Sequence, residues 1–124
     1  MEKVNLQQKF ALFSEHWQPK VIGDLNNFAV KIVKVQGEFL WHHHDTEDEL
    51  FLVVKGRLLI QVKEDDGSQR DIWLEEGEMV IIPHGVEHRP SAEVETQVLL
   101  LEPNTVLNTG TVENERTVLN PERL

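Results

Sequence analysis

The feature that most constrains the fold is a succession of short strand-like segments between residues 20 and 103. Within many of them apolar residues alternate with polar ones, a period of two that is typical of a β-strand with one buried face. Lys55-Gly56 and Asp66-Gly67 stand where tight hairpin turns are expected. Short strands at regular spacing predict an all-β sandwich or barrel, because closing the sheet removes exposed edges. The expected strands are 21–22, 29–35, 39–44, 49–54, 57–63, 71–74, 79–82, 87–91 and 95–101.

The two ends of the chain do not follow this pattern. Residues 4–17 carry apolar side chains at intervals of three and four, which predicts one amphipathic helix or a helical turn. Asn5 is a suitable N-cap, and Pro19 prevents easy continuation. The expected organisation is an N-terminal helical segment over residues 1–19, a barrel over 20–103 and an extended C-terminal tail over 104–124.

Length and composition narrow the class of protein. The chain has 124 residues, which suggests one domain, and its formal net charge of −10 argues against a nucleic-acid partner or an anionic membrane surface. The absence of cysteine excludes disulfides and thiolate metal sites. The first residues lack the apolar core of a signal peptide, and no apolar run is long enough to span a bilayer. We therefore expect a cytoplasmic protein.

The candidate functional residues are concentrated in residues 41–49. Strand alternation would place His42 and His44 on one face, with Trp41 and His43 on the other. An acidic turn follows and ends at Glu49, which opens the next strand. Two imidazoles and a nearby carboxylate are a plausible half of a metal site.

His88 is the candidate that would complete this site. It follows a sharp turn at Pro83-His84-Gly85, at the start of a later strand. If that strand lies beside the histidine pair, three imidazoles and one carboxylate converge. Such a set suits divalent Mn, Fe, Co, Ni, Cu or Zn better than Ca or Mg. It would leave coordination positions open for a small ligand.

The spacing of these residues resembles a known pattern. Gly37-x4-His42-x-His44-x4-Glu49-x6-Gly56 resembles the first cupin motif, G(X)5HXH(X)3-4E(X)6G, with the first spacer one residue short.

The second cupin motif, G(X)5PXG(X)2H(X)3N, has a counterpart further along the chain. Gly77-x5-Pro83-x-Gly85-x2-His88 matches it, although Ala92 occupies the place of the final Asn. That substitution removes no ligand position, but it weakens any transfer of mechanism from a particular enzyme.

The resemblance to cupins implies a fold and a site. The fold is a small cupin β-barrel, a double-stranded β-helix or jelly roll, with a divalent transition metal held near one mouth. The implied metal ligands are His42, His44, Glu49 and His88. The resemblance also implies a homodimer. It is strongest to small one-domain cupins often described as mannose-6-phosphate isomerase-like.

Three functions remain open at this point. The first is a metal-dependent enzyme acting on a small, oxygen-rich substrate by dioxygenase, isomerase or decarboxylase chemistry, among which the fold does not choose. The alternative is a non-catalytic small-ligand-binding or sensor protein. The third is a metal-free structural barrel, which the four intact ligand positions disfavour. A protein base would have to come from His84, Glu38 or Glu87.

Other polar residues have simpler interpretations. His43 is expected to point away from the barrel, His84 to lie at its rim and His16 on the surface. The acidic residues between positions 45 and 48 are expected to form a solvated turn. Trp41 is either a surface residue or part of a dimer interface.

Overall fold

The computed structural model describes all 124 residues, and β-strands dominate it. This confirms the predicted all-β fold with a short N-terminal helix. The elements are α1 (Leu6–Phe10), β1 (Lys20–Leu25), β2 (Phe28–Glu38), β3 (Glu49–Lys55), β4 (Leu58–Lys63), β5 (Gln69–Leu74), β6 (Met79–Ile82) and β7 (His88–Pro103).

The N-terminal helix has only five residues, so of the two predicted alternatives the helical turn is the one that forms. Asn5 caps it as expected, and the helix ends after Phe10. Phe10 and Phe13 both pack against Ile32 on β2. Trp17 adopts a left-handed backbone conformation with φ of 62°, which no helix can include. The apolar spacing therefore reflects packing of a folded-back segment on the sheet, not one continuous helix.

Strand β7 organises the sheet. The strand order is β1-β2-β7-β3-β6, and β4 pairs with both β5 and β7. Every strand pair is antiparallel. The sequence predicted two strands here, over 87–91 and 95–101, but one strand runs through the exposed residues 93–95. The interruption appears instead as a register shift opposite β2, between Val35 and Gly37.

The predicted strand over residues 39–44 is wrong. Only His42 pairs there, as an isolated bridge to His88 in which each backbone N–H donates to the other's carbonyl, at 3.0 and 2.9 Å. The N–H of Gly85 donates to the carbonyl of His44 at 2.7 Å. The N–H of Phe39 donates to the carbonyl of Pro90 at 2.9 Å, so the segment lies beside the start of β7 but forms only isolated hydrogen bonds with it, not a continuous ladder.

The core lies between the two sheet halves. Each of its larger side chains contributes about 1.5–3 kcal/mol through burial. Its members are Val33, Val35, Phe51, Val53, Leu58, Ile60, Val62, Leu74, Ile82, Ala92, Val98 and Leu100.

The C-terminal tail over 104–124 is ordered by hydrogen bonds without forming a helix or a named strand. Asn108 donates through Nδ2 to the carbonyl of Arg116 at 2.8 Å and accepts the N–H of Val118 at Oδ1, also at 2.8 Å. The end of the tail lies beside β1, where the N–H of Leu124 donates to the carbonyl of Val21 at 2.9 Å. The tail therefore crosses the barrel and returns to its edge.

Part of the outer sheet face is apolar and uncovered. Met79 and Ile81 on the edge strand β6 are 50% and 52% exposed. Register places Ile81 opposite Leu50, and Leu50 opposite Leu101 on β7.

In the structure, no helix is both long and apolar enough to cross a membrane.

Candidate metal centre

The structure brings the four predicted ligand residues together. One ligand atom from each of His42, His44, Glu49 and His88 lies within 4.8 Å of all the others, and all four residues are buried. Glu49 opens β3 and His88 opens β7, so the barrel framework fixes both. The bridge between His42 and His88 brings the histidine segment to the same place.

Backbone carbonyls orient two of the imidazoles. Nδ1 of His42 lies 3.0 Å from the carbonyl oxygen of Leu40, and Nδ1 of His88 lies 2.9 Å from that of Val86. A carbonyl can only accept, so each Nδ1 carries the proton and donates it. Each Nε2 is then left with a free lone pair, the form of histidine that binds a metal.

Three buried atoms in the cluster have no hydrogen-bond partner: Nε2 of His44, Nε2 of His88 and Oε1 of Glu49. The two nitrogens lie 3.4 and 3.5 Å from that oxygen. Unpaired buried polar groups are costly and uncommon in folded proteins. A divalent cation between them would satisfy all three at once, so the residues present fit a borderline transition metal.

The surroundings of His42 and Glu49 favour the protonation states in which these side chains bind a metal. Burial, followed by the charge of His88, lowers the pKa of His42 to about 4, so this imidazole is neutral near pH 7. Burial alone would keep Glu49 protonated, but its contacts with Glu102, His44 and His88 hold its pKa well below the ordinary value. Neutral imidazoles and an ionised carboxylate are the forms that ligate metals.

A buried lysine–glutamate contact that the sequence did not predict lies beside the cluster. Nζ of Lys31 lies 3.0 Å from Oε1 of Glu102, and the two residues are 4% and 1% exposed. Burial and the neighbouring negative charge of Glu49 raise the pKa of Glu102 well above its ordinary value.

Strand alternation contained the signal for this pair. Val98, Leu100 and Glu102 occupy every second position of β7, and all three are buried. A glutamate that continues an inward apolar row needs a buried cationic or hydrogen-bonding partner. Lys31, which is buried on β2, is that partner.

A pocket adjoins the cluster. Its walls are mainly apolar and include Phe51, Leu100 and the stacked rings of Trp17 and Phe39, whose centres lie 4.8 Å apart. The edge of the Phe39 ring meets His42 with a centre-to-centre distance of 5.5 Å. The cavity volume of about 40 Å³ is room for on the order of three water molecules. A larger ligand therefore requires movement of the residues around the mouth.

The C-terminal tail packs directly on the histidine segment. Gly110 has φ of +62°, and a Cβ at this position would lie 2.1 Å from the carbonyl oxygen of His43. The N–H of Thr111 donates to the same oxygen at 3.2 Å. The tail thereby fixes the peptide that joins His42 to His44.

The remaining predicted histidines lie outside the cluster. His43 is half-exposed with Nε2 at 3.0 Å from Oδ1 of Asp45, as its expected outward orientation requires. His84 is exposed, and its Nδ1 lies 2.8 Å from Oδ1 of Asp48.

The other candidate bases are engaged in surface ion pairs. Glu38 lies 2.9 Å from Arg89, and Glu87 lies 3.4 Å from Lys63. The same two cations flank the ring of Trp41, at 5.2 and 4.6 Å. Trp41 is therefore covered by its own chain on the outer surface.

Comparison with known proteins agrees with this geometry. The Cupin domain family model matches residues 29–103, more than half of the chain. The chain belongs to the cupin family. In this cupin the matched region includes the metal cluster and leaves out the N-terminal helix and the tail.

Relatives of this cupin include one solved structure with high similarity. A cupin-2 domain containing protein from Shewanella frigidimarina NCIMB 400 shares 44% identity with a TM-score of 0.76, over 82% of this chain and 94% of that chain. The uncharacterized protein YdbB of Bacillus subtilis (strain 168) is 34% identical over 78% of this chain and 76% of its own length.

A more distant relative is an enzyme. The 3-hydroxyanthranilate 3,4-dioxygenase of Xenopus tropicalis is 28% identical over 80% of this chain. This cupin spans only 36% of the length of that enzyme.

Proposed function

We propose that this cupin is a metal-dependent dioxygenase that acts on a small, oxygen-rich molecule. The observation that carries the proposal is the set of orphaned ligand atoms on His44, Glu49 and His88, buried beside a pocket. The partial similarity to a dioxygenase supports the choice of reaction. Of the metals that the donor set accepts (Fe, Mn, Zn, Ni, Co or Cu), iron fits this chemistry best.

His42, His44, Glu49 and His88 would hold the metal, which when bound would supply Lewis acidity and one-electron chemistry. The carbonyls behind His42 and His88 keep both imidazoles aimed at one point. Glu49 contributes the negative charge. Precise support of this kind keeps ligands in place without reorganisation during the reaction.

The pocket walls restrict what can reach the cluster. Phe51, Leu58 and Leu100 present apolar surface and exclude bulk water. Electrostatic interactions are stronger in such a site than in water. A substrate that enters must therefore offer oxygen atoms to the cluster and an apolar body to the walls.

The first test is metal content. Protein purified without added metal should carry one equivalent of metal or take it up on titration, and loading should raise its melting temperature. His88→Ala should lose both effects. His43→Ala, which alters an imidazole outside the cluster, should keep them. Failure of the wild-type protein to take up any divalent metal would end the proposal.

The second test is turnover. The Fe(II) form should consume O₂ in the presence of at least one member of a panel of catechols, diketones and thiols, and His88→Ala should not. The non-catalytic binding or sensor protein is the alternative. Saturable, ligand-dependent stabilisation without O₂ consumption would favour that alternative.

We also propose that the protein forms a homodimer. The support is the uncovered apolar face that includes Met79, Ile81 and Leu50, since contiguous exposed apolar surface commonly marks an interface. A cytoplasmic location stays a prediction from the sequence.

A further inference from the structure

A guanidinium from the C-terminal tail lies beside the aromatic wall of the pocket. Cζ of Arg116 is 4.7 Å from the centre of the Phe39 ring and 5.8 Å from that of Trp17. Both rings line the pocket next to His42. The positive charge of Arg116 therefore lies against the rings of Trp17 and Phe39, and Phe39 in turn contacts the candidate ligand His42.

Arg116 differs from every other arginine of the chain in its partners. The others each lie within salt-bridge distance of a carboxylate: Arg57, Arg70, Arg89 and Arg123. Arg116 has no such partner, although the chain contains 22 acidic residues. An unpaired guanidinium in so acidic a protein is available to an anion from solution.

The tail holds Arg116 in a defined position. Its N–H donates to Oδ1 of Asn114 and its carbonyl accepts from Nδ2 of Asn108, both at 2.8 Å. The guanidinium itself donates through Nη1 to the carbonyl of Glu38 at 3.2 Å. Since a guanidinium has five N–H donors, most of its donors remain for a ligand.

Trp17 supplies an independent indication that this wall is functional. Its φ of 62° is rare for a bulky side chain. Two hydrogen bonds of 2.9 Å keep it in this conformation. Its backbone N–H donates to the carbonyl of Lys34, and its Nε1 donates to the carbonyl of Gln36. Backbone strain of this kind is concentrated at binding sites, where the surrounding structure maintains it.

We propose that the substrate of this pocket is a flat organic acid whose carboxylate binds Arg116. This rests on the proposed function and names its substrate class. A guanidinium fork matches the two oxygens of a carboxylate, and the stacked rings of Trp17 and Phe39 favour a planar body. The pocket is also lined by the carboxylates of Glu49 and Glu102, which repel an anion, so the negative group of a ligand belongs at the Arg116 end and away from them. A carboxylate fits there better than a phosphate, because one guanidinium offsets a single negative charge. Arg116 also offsets the repulsion that a net charge of −10 exerts on an anion.

The test compares two ligands of nearly equal shape on the Fe(III)-loaded protein. Catechols bound to Fe(III) give a visible charge-transfer band, from which Kd is read for 3,4-dihydroxybenzoate and for its neutral amide. The wild-type protein should prefer the carboxylate by about 10-fold or more, as expected for hydrogen bonds to a charged group. Arg116→Gln should remove most of this preference, and Arg116→Lys should retain part of it.

Arg70→Gln is the matched control, since it removes the same charge from an arginine paired with Glu64. It should keep the wild-type preference. An unchanged preference in Arg116→Gln, or an equal loss in both variants, would overturn the inference while leaving the proposed function intact.

A metal-independent measurement separates the two proposals. If the protein takes up no metal, the proposed function fails, and the preference is then measured with benzoate and benzamide in metal-free protein. Quenching of Trp17 fluorescence, with Trp41 and Trp73 replaced by Phe, reports binding. Tighter binding of benzoate that depends on Arg116 supports the inference, and equal binding of the two ligands refutes it.

Discussion

At the scale of single residues, Gly110 links the tail to the metal cluster. The 2.1 Å approach that a Cβ would make to the carbonyl oxygen of His43 cannot be relieved by a side-chain movement, because that oxygen belongs to the backbone. Any side chain at position 110 must therefore displace the peptide between His42 and His44, or the tail itself.

Gly110→Ala should accordingly weaken metal binding by roughly 10-fold, a size typical of overpacking. Competition with a chelator measures the affinity. Gly67→Ala is the control, since Gly67 has a left-handed φ of +85° but no atom within 4 Å of its added Cβ. It should cost stability and leave metal affinity unchanged; equal affinities in the two variants would contradict the proposed link.

His42 predicts a pH dependence of stability for the metal-free protein. Its pKa is about 4 in the folded state against an ordinary value of 6.5, so the unfolded chain binds the proton more readily. Stability is therefore complete above about pH 6.5 and falls as pH drops towards 4, by up to about 3 kcal/mol. Urea unfolding across this range should show a steeper fall for wild type than for His42→Gln. Parallel curves of unfolding free energy against pH for the two proteins would show that His42 does not contribute to the pH dependence of stability.

The same scale shows what the sequence can and cannot predict. The convergence of His42, His44, Glu49 and His88 was predicted mainly from motif spacing, which acts along the chain, although residues 39–44 do not form the expected strand. Lys31 and Glu102 were not paired in advance, since their contact depends on the register between β2 and β7, which only the folded sheet defines.

At the scale of elements, the β3–β4 hairpin turn has no room for a side chain at Gly56. A Cβ on Gly56 would lie 2.5 Å from Oγ1 and 3.0 Å from Cα of Thr96 on β7, and Gly56 has φ of +99°. Thr96 is fully buried and bonds to Arg57 in both directions, so it cannot withdraw.

Gly56→Ala should therefore reduce the free energy of unfolding by about 2–4 kcal/mol, through strain and overpacking together. Urea titration measures the loss. Gly23→Ala, in β1 with open space around the added Cβ and no positive φ, should change stability by less than about 1 kcal/mol. Similar losses of unfolding free energy in both variants would mean that Thr96 moves aside at little cost.

Elements were predicted well where they pair along their length. Strands β3, β4 and β6 lie close to their expected positions because each has a regular partner and clear turn residues. The segment 39–44 has strand-like alternation but no continuous partner. The apolar spacing continues beyond the short helix because Phe13 also packs on β2. The spacing of apolar residues indicates which face of a segment is buried. It does not indicate whether a neighbouring strand is present to pair with that segment.

At the scale of the whole molecule, the uncovered outer face makes the homodimer testable. Sedimentation equilibrium should give twice the chain mass of 14.4 kDa for the wild type. Met79→Lys combined with Ile81→Lys should give monomers, because charges on this face oppose its burial. Leu119→Lys, at a residue that is 67% exposed in the tail, should remain dimeric. A monomeric wild type would remove the basis for an interface on this face.

The central position of β7 also has a consequence for biosynthesis. A ribosome makes this strand after all the others, yet β2, β3 and β4 each depend on it for pairing. The nascent chain consequently carries incomplete sheet edges and an open apolar interior until β7 has been made, a state prone to aggregation and suited to chaperone binding. His88 lies at the start of the same strand, so the complete set of metal ligands is not present before β7 is synthesised.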